Sequence, residues 1–488
     1  MLCVCRDGHS LFFRCLLLEE KSFFFRAASF VFSVFEFERP FWCLASIKFM
    51  ADYKRSRFKD AGFRRVLPLI LVIFLVVLVI LLLIRKGSVS DFSNIAVETE
   101  SFSFAPSSME TDYPILLNFG DFKPKLPKMS DFAMSLDRRN CLPPRNIDLF
   151  PNLAENHVKI VLYVHNRPQY LQVVLKSLAN VKGIGETMLV VSHDGYFTEM
   201  DSIVQNIRFC QVKQIFSPYS PHLYSDSFPG VSKGDCQNKD DPSKKNCSGN
   251  PDQYGNHRSP RIVSLKHHWW WMMNTLWDGL PETRMHSGHI LFIEEDHFIY
   301  PNAYRNIQLL VKLKPEKCHD CFAVNLAPSD VKSKGEGWES LIAEKMGNIG
   351  YTFNRTVWRK IHAKAREFCW FDDYNWDITM WSTVYPSFGT PVYTLRGPRA
   401  SALHFGKCGL HQGQDKSSAC IDNGETNIEL EEIDKVPHIK VDWPVHVFKN
   451  QEGYRAGFKG WGGWGDHRDQ ELCLSFAYMY HSSEALTN

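Results

Sequence analysis

Charge of one sign is what this sequence most lacks. Its 56 Lys and Arg nearly cancel 54 Asp and Glu, leaving +2. No basic stripe occurs outside residues 54–65, which excludes the electrostatic footprint of a nucleic-acid binder. No Gly-x-Gly-x-x-Gly and no Gly-x-x-x-x-Gly-Lys-[Ser/Thr] is present, so neither dinucleotide nor P-loop phosphate binding is indicated. Gly-x-Ser-x-Gly and His-Glu-x-x-His are missing too, and hydrolases lose their usual signatures. Long apolar runs are scarce. One is the exception.

Val66–Ile84 carries no charge over 19 residues, long enough to cross a hydrocarbon core at about 1.5 Å per residue. Lys54, Arg55, Arg57, Lys59, Arg64 and Arg65 precede it, whereas only Arg85 and Lys86 follow closely. That bias predicts a cytosolic tail over 50–65, a transmembrane helix over 66–84 and a lumenal remainder, a single-pass type II arrangement. Residues 1–49 are Phe-rich, with apolar runs broken by Arg14, Glu19, Glu20 and Lys21. They read as an unstructured upstream extension or a misassigned start. Residues 85–156 are rich in Ser, Pro, Asp and Glu without sustained periodicity and read as a stem. A folded domain is expected over 157–488. Ten of the 14 cysteines follow residue 140, which leans toward an oxidising compartment. Sequons at Asn246 and Asn354 are glycosylation candidates that fit a lumenal location.

From residue 157 the pattern is α/β. Lys159–Val164 reads as a buried strand, and Pro168 opens a helix with Leu171, Val174, Leu175 and Leu178 on one stripe. Thr187–Val191 and Val212–Phe216 read as further strands. This spacing implies parallel crossovers and a nucleotide-binding type of sheet. Ser259 is the expected N-cap and Pro260 the first position of a helix. That helix gathers Ile262, Leu265, Trp269, Met272, Met273 and Leu276 on one apolar face, with Lys266 and His267 on its other side.

Ile290–Ile293 then run straight into Glu294-Glu295-Asp296. A short continuous apolar run reads as a strand buried on both faces. Three acids at its end repel one another unless a cation or water sits among them. In open α/β sheets ligands collect beyond such strand ends. The choice is between a metal-assisted site for an anionic substrate and a solvated acidic loop. Asp372-Asp373 with Asp377, and His404 in SALHFGKCG, extend the first reading, since hard divalent cations take carboxylate oxygen and manganese tolerates imidazole. A zinc site from Cys318-x-x-Cys321 and Cys408-x-x-His411 is disfavoured, because the pairs are about ninety residues apart. A short-loop disulfide suits Cys318 and Cys321 better than a thioredoxin-like role.

YVHNRPQYL, VSHDG, QIFSPYSPHLY, FPG, SLKHHWWW, LFIEEDH, DDYNWD, HFGKCGLH and GGWGDHRDQELC together resemble the motif series of the N-acetylglucosaminyltransferase II family over residues 145–480. NPDQYGNHRSP and NLAPSDVKS resemble its plant form. The resemblance implies a GT-A glycosyltransferase fold over the lumenal domain and an inverting transfer of GlcNAc from UDP-GlcNAc. The acceptor it implies is the α1,6-arm mannose of an N-glycan on a glycoprotein, joined in β1,2 linkage, with Mn2+ as cofactor and the Golgi membrane as location. By motif, Asp296 and His404 would hold the metal and Asp377 would be the catalytic base. Tyr163, Val164, His165, Asn166, Arg167, Asp194, Ser264, Leu265, Lys266, His267 and His268 would contact UDP-GlcNAc. Glu294 and Glu295 would shape the site rather than touch the metal.

The resemblance also implies disulfides Cys236–Cys247, Cys318–Cys321, Cys369–Cys473 and Cys408–Cys420, with one family bridge lost near Lys364 and Ser387. Cys210 reads as a free buried thiol, and Cys141 has no assigned partner. Two other readings share these residues: the same chemistry on another mannose acceptor, and a non-catalytic lumenal glycan-binding protein. A homo-oligomer is left open.

Overall fold

The computed structural model describes residues 122–481 except 156, 330–334, 336–338, 410–438 and 449–461, together with three short strands near the N-terminus. Those strands, Val4–Cys5, Leu11–Phe13 and Phe30–Val31, pair antiparallel in sequence order. The expected transmembrane segment 66–84 and the cytosolic tail before it lie outside the described residues. Among the described residues no helix is long and apolar enough to cross a membrane.

The main unit is built on a nine-stranded sheet. Its strands are β1 (Lys159–Val164), β2 (Met188–His193), β3 (Gln211–Phe216), β4 (His289–Glu294), β6 (Ala323–Asn325), β7 (Leu341–Lys345), β8 (Tyr351–Asn354), β9 (Tyr393–Arg396) and β11 (Val445–Val447). In space they run β11-β7-β9-β6-β8-β4-β1-β2-β3. The block β3-β2-β1-β4 is parallel, and β8 is antiparallel to both β4 and β6. A separate antiparallel pair joins β5 (His297–Ile299) to β10 (Ala402–His404). The chain leaves β1 toward β2 on one side, whereas β4 lies on the other. That reversal makes the carboxyl ends of β1 and β4 the switch point where such sheets bind ligands.

Strand periodicity explains why β1 and β4 are apolar throughout. Ile160, Leu162 and Val164 enter one core with Leu291 and Ile293, whereas Val161 and Tyr163 enter the opposite core with Ile290 and Phe292. Successive side chains point to opposite faces, and both faces are covered. Helix α2 (Pro168–Ala179) covers the first face through Leu171, Val174, Leu175 and Leu178. Helix α4 (Pro260–Asn274) covers the second through its three consecutive tryptophans. The expected strands at 187–191 and 212–216 are seen, each shifted by one or two residues.

Two expectations change. Ser259 stands at the N-cap of α4, but its side chain makes no capping bond. Lys266 and His267 do lie opposite the apolar face, and that side is buried as well, at 0 % and 2 % exposed, because α9 (His467–Tyr478) and the chain before it close over it. Nor does the stem reach residue 156. Helix α1 (Asp131–Asn140), capped by the Ser130 hydroxyl, docks on β3. There Asn140 exchanges two hydrogen bonds with the Phe216 backbone, at 2.9 and 2.7 Å. Arg139 grips Asp201 of α3 (Thr198–Gln205) with two bonds, and Arg145 bridges to Val212. The Ser- and Pro-rich composition hid these contacts, which depend on residues sixty or more positions away.

Disulfides Cys236–Cys247, Cys318–Cys321 and Cys369–Cys473 are formed. Cys408 is disulfide-bonded, and Cys420 lies outside the described residues. Cys141 is an exposed free thiol and Cys210 a buried one.

Candidate active site

The acidic turn after β4 is held by the loop after β1. Glu295, fully buried, accepts the His165 N–H at 3.0 Å and the Arg167 Nε–H at 2.6 Å. Arg167 also donates to Asp296 Oδ2 at 3.0 Å and to the Cys408 carbonyl at 3.2 Å. Burial opposes charge on this guanidinium, but Glu295 and Asp296 outweigh it and raise its pKa. Arg167 therefore neutralises the acidic turn, a role its place among the nucleotide contacts did not suggest.

Asp296 stands in the turn between β4 and β5, at the end of the small sheet. His404 on β10 pairs across to His297 on β5, which brings its Nε2 to 3.5 Å from Asp296 Oδ2. The Phe405 N–H donates to the Asp296 carbonyl at 3.0 Å. A Cβ on Gly406 would lie 2.8 Å from Asp296 Cβ and 2.9 Å from Oδ2, so glycine is what this approach admits. Burial opposes ionisation of Asp296, yet Arg167 and His404 hold its carboxyl well below the usual range. Burial likewise opposes charge on His404, but the Asp296 carboxylate raises its pKa to about 9. Glu294 moves the other way, to about 8, through burial and its neighbours Asp296 and Asp377.

A resident divalent metal fits this arrangement. Asp296 Oδ1 is buried with no hydrogen-bond partner, an expensive state that a cation would relieve. Carboxylate oxygen and imidazole nitrogen are donors that manganese accepts.

Asp377 opens onto a shallow recess lined by Asn348, Tyr351, Trp376, Trp381 and Tyr385. It lies in the four-residue helix α8 (Trp376–Thr379), with Oδ1 accepting the Ile378 N–H at 2.7 Å and Oδ2 facing Asn348 Nδ2 at 3.4 Å. Asp377 and Asp296 both bear on Glu294, so base and metal candidates converge on the end of β4.

The expected nucleotide contacts divide. Tyr163 and Val164 have their side chains in the two cores, and Asn166 is exposed. His165 Nδ1 meets Asp194 Oδ2 at 3.0 Å. Asp194 also accepts the Ser220 hydroxyl at 2.7 Å and faces His222 at 3.5 Å. Burial opposes its charge, but His222 and His165 hold it ionised. Ser264 reaches His222 at 3.3 Å, and His268 reaches Ser192 at 2.9 Å while its ring meets that of His165 edge-on. Burial drives the His268 pKa down to about 3, leaving a neutral imidazole.

Ser264 and His268, four residues apart, share one face of α4. Lys266 and His267 do not join them. Lys266 Nζ donates to the carbonyls of Phe371 and Asp373, at 3.0 and 2.9 Å. His267 Nε2 lies 2.9 Å from Asp469 Oδ1. Leu265 is half-buried beside the second core. The five-residue block thus serves two places, because a helix turns 100° per residue. Ser220, His222 and Asn348 were missed as site residues. Ser220 and His222 lie in QIFSPYSPHLY, and nothing in their spacing marks them.

Asn246 is exposed at the end of a short helix. Asn354 is the N-cap of α6 (Arg355–His362), accepting the Val357 N–H at 3.3 Å.

Comparison with known proteins agrees with this geometry. Residues 135–473 match the family model described as N-acetylglucosaminyltransferase II. The chain is 61% identical over 433 residues to the alpha-1,6-mannosyl-glycoprotein 2-beta-N-acetylglucosaminyltransferase of Arabidopsis thaliana, covering 89% of this chain and 98% of that one. It is 32% identical to the Homo sapiens protein of the same name over 349 residues, 68% of this chain and 76% of that one. A solved structure of S. aureus TarS shares 13% identity at a TM-score of 0.25, covering 50% of this chain and 36% of that one, too slight a likeness to bear on the fold.

Proposed function

This chain belongs to the N-acetylglucosaminyltransferase II family, and on that premise we propose how its site moves GlcNAc onto the α1,6-arm mannose of an N-glycan. The donor is UDP-GlcNAc, the linkage formed is β1,2, and the glycan is on its way to the complex type. The domain is a GT-A fold, and the parallel block with a switch point at β1 and β4 supports that assignment. One observation carries the reading of the site: the buried Asp296 oxygen without a partner, beside His404 and near Asp377, at the carboxyl end of β4.

Asp296 and His404 would hold Mn2+, which when bound neutralises charge on the departing diphosphate. Arg167 keeps Asp296 ionised, and Glu295 keeps Arg167 in place. Asp194, with His165, Ser264 and His268, forms a polar recess suited to the nucleotide. Inversion needs a single displacement and one base. Asp377 takes the proton from the mannose hydroxyl, and Trp376, Trp381 and Tyr385 line the shallow recess beside it. The protein is anchored in the Golgi membrane as a single-pass type II protein. The apolar span 66–84, its flanking charges and the disulfides support this, since disulfides persist in oxidising compartments.

The test is transfer by the full chain with UDP-GlcNAc, Mn2+ and a glycan bearing GlcNAc on its α1,3 arm. A β1,2-linked product on the other arm is expected, abolished by chelation. Asp377→Asn should lose transfer yet still bind UDP. Transfer only to α1,3-arm mannose would overturn the acceptor assignment, and normal turnover of Asp377→Asn the base.

A further inference from the structure

Lys266 belongs to the SLKHH block, yet the site described above does not use its charge. Its side chain is wholly buried in α4. Its ammonium lies 4.4 Å from the centroid of the Trp464 ring and 5.0 Å from that of Phe368, and it donates to the carbonyls of Phe371 and Asp373. Those carbonyls bracket Asp372, immediately before the helix that carries Asp377. The Asp373 carbonyl is shared: Thr379 Oγ1 reaches it at 3.4 Å from the far end of that helix. The Asp373 carboxylate accepts the Asn375 N–H at 2.8 Å, which sets the entry to the same helix. Trp464 donates to the Cys369 carbonyl at 2.8 Å, and Cys369 is joined to Cys473.

We propose that Lys266 is a positioning residue for the reaction: its buried ammonium fixes the turn at 371–373 and thereby the direction in which Asp377 presents its carboxylate. The helical segment that begins at Trp376 runs on as a π-helical turn to Val384, so its own bonds hold its far end, whereas the direction of the first turn, which carries Asp377, depends on what fixes its entry. Something outside must do so. Burying an ammonium is costly, and an apolar side chain of similar volume would fill the space more cheaply. Fold stability therefore does not account for a lysine here. A cation that gathers two carbonyls onto one point does, because a base misplaced by about 1 Å can lose about 100-fold in rate.

This inference rests on Asp377 being the base, which Asp377→Asn tests separately. Lys266→Met in the full chain should lower kcat between about tenfold and about 100-fold, with UDP affinity and acceptor KM within about threefold. Lys266→Gln, which keeps one donor group, should recover part of the loss. Lys213→Met removes another buried ammonium, bonded to Glu282 and the Leu142 carbonyl, and should leave kcat unchanged. Unchanged kcat in Lys266→Met overturns the proposal. So does an equal fall of kcat in Lys213→Met. Hydrogen exchange of the wild-type chain decides independently of any variant's folding: protected amides over 371–379 are expected, and exchange at the rate of an open loop overturns the proposal.

Discussion

The indole rings of Trp269 and Trp376 lie 4.8 Å apart and within 3° of parallel. One belongs to the helix that floors the second core, the other directly precedes Asp377. Trp269 also donates from Nε1 to the Tyr351 hydroxyl at 2.8 Å, and Tyr351 lines the recess beside Asp377. Asp377 is thus seated on the core through its neighbour. Aromatic pairs of this kind contribute about 0.5–1.5 kcal/mol beyond their buried area. Trp269→Leu should lower kcat by about tenfold while UDP affinity, measured by calorimetry, stays within about threefold.

Metal binding should release a proton. His404 titrates near 9, because the Asp296 carboxylate more than offsets burial, so at neutral pH the imidazole gives up its proton to serve as a ligand. Apparent Mn2+ affinity should rise with pH up to about 9, by about tenfold per unit when one proton is displaced. Titrations in two buffers of different ionisation enthalpy count that proton. His404→Ala should remove both the release and most of the affinity.

Asp469 ties three segments together. It receives Arg258 Nε at 2.7 Å and Nη2 at 2.9 Å, and His267 lies at 2.9 Å. Burial opposes its ionisation, but Arg258 and His267 hold the carboxyl below the usual range. Its folded pKa lies under its unfolded one. The stability it contributes is therefore complete above about pH 4 and is lost as pH falls toward the folded value. Asp469→Asn should cost about 3–5 kcal/mol at pH 7, and urea melts should show the gap narrowing below about pH 4.

One glycine before α9 packs directly on the backbone at 256–257. Gly463 has φ +79°, and a Cβ there would lie 2.5 Å from the His257 carbonyl oxygen. Trp464 beside it is 0 % exposed. Gly463→Ala should destabilise by well over about 1 kcal/mol, from strain and clash together. Gly389, at φ +71° with open space around its Cβ position, supplies the comparison: Gly389→Ala should show the backbone cost alone in the same urea melt.

Local pattern was enough for the strands at the site. Ile290–Ile293 and Lys159–Val164 are continuous apolar runs, and only a strand covered on both faces satisfies them. The acidic turn after β4 and the stripe on α2 were legible for the same reason, since each depends on neighbours within a few positions; Asp296 and His404, over one hundred positions apart, were joined only by the motif resemblance. What α4 does with its polar residues was not. Ser264 and His268 face the His165–Asp194 recess, whereas Lys266 and His267 face Phe371, Asp373 and Asp469, over one hundred positions further on. Periodicity placed Lys266 and His267 opposite the apolar face, but it carried no sign that this side is buried too. Only the packing of α9 and the 371–373 turn against α4 decides which carbonyl or carboxylate each side chain meets, because a buried polar group takes its partner from whatever the fold brings within about 3 Å.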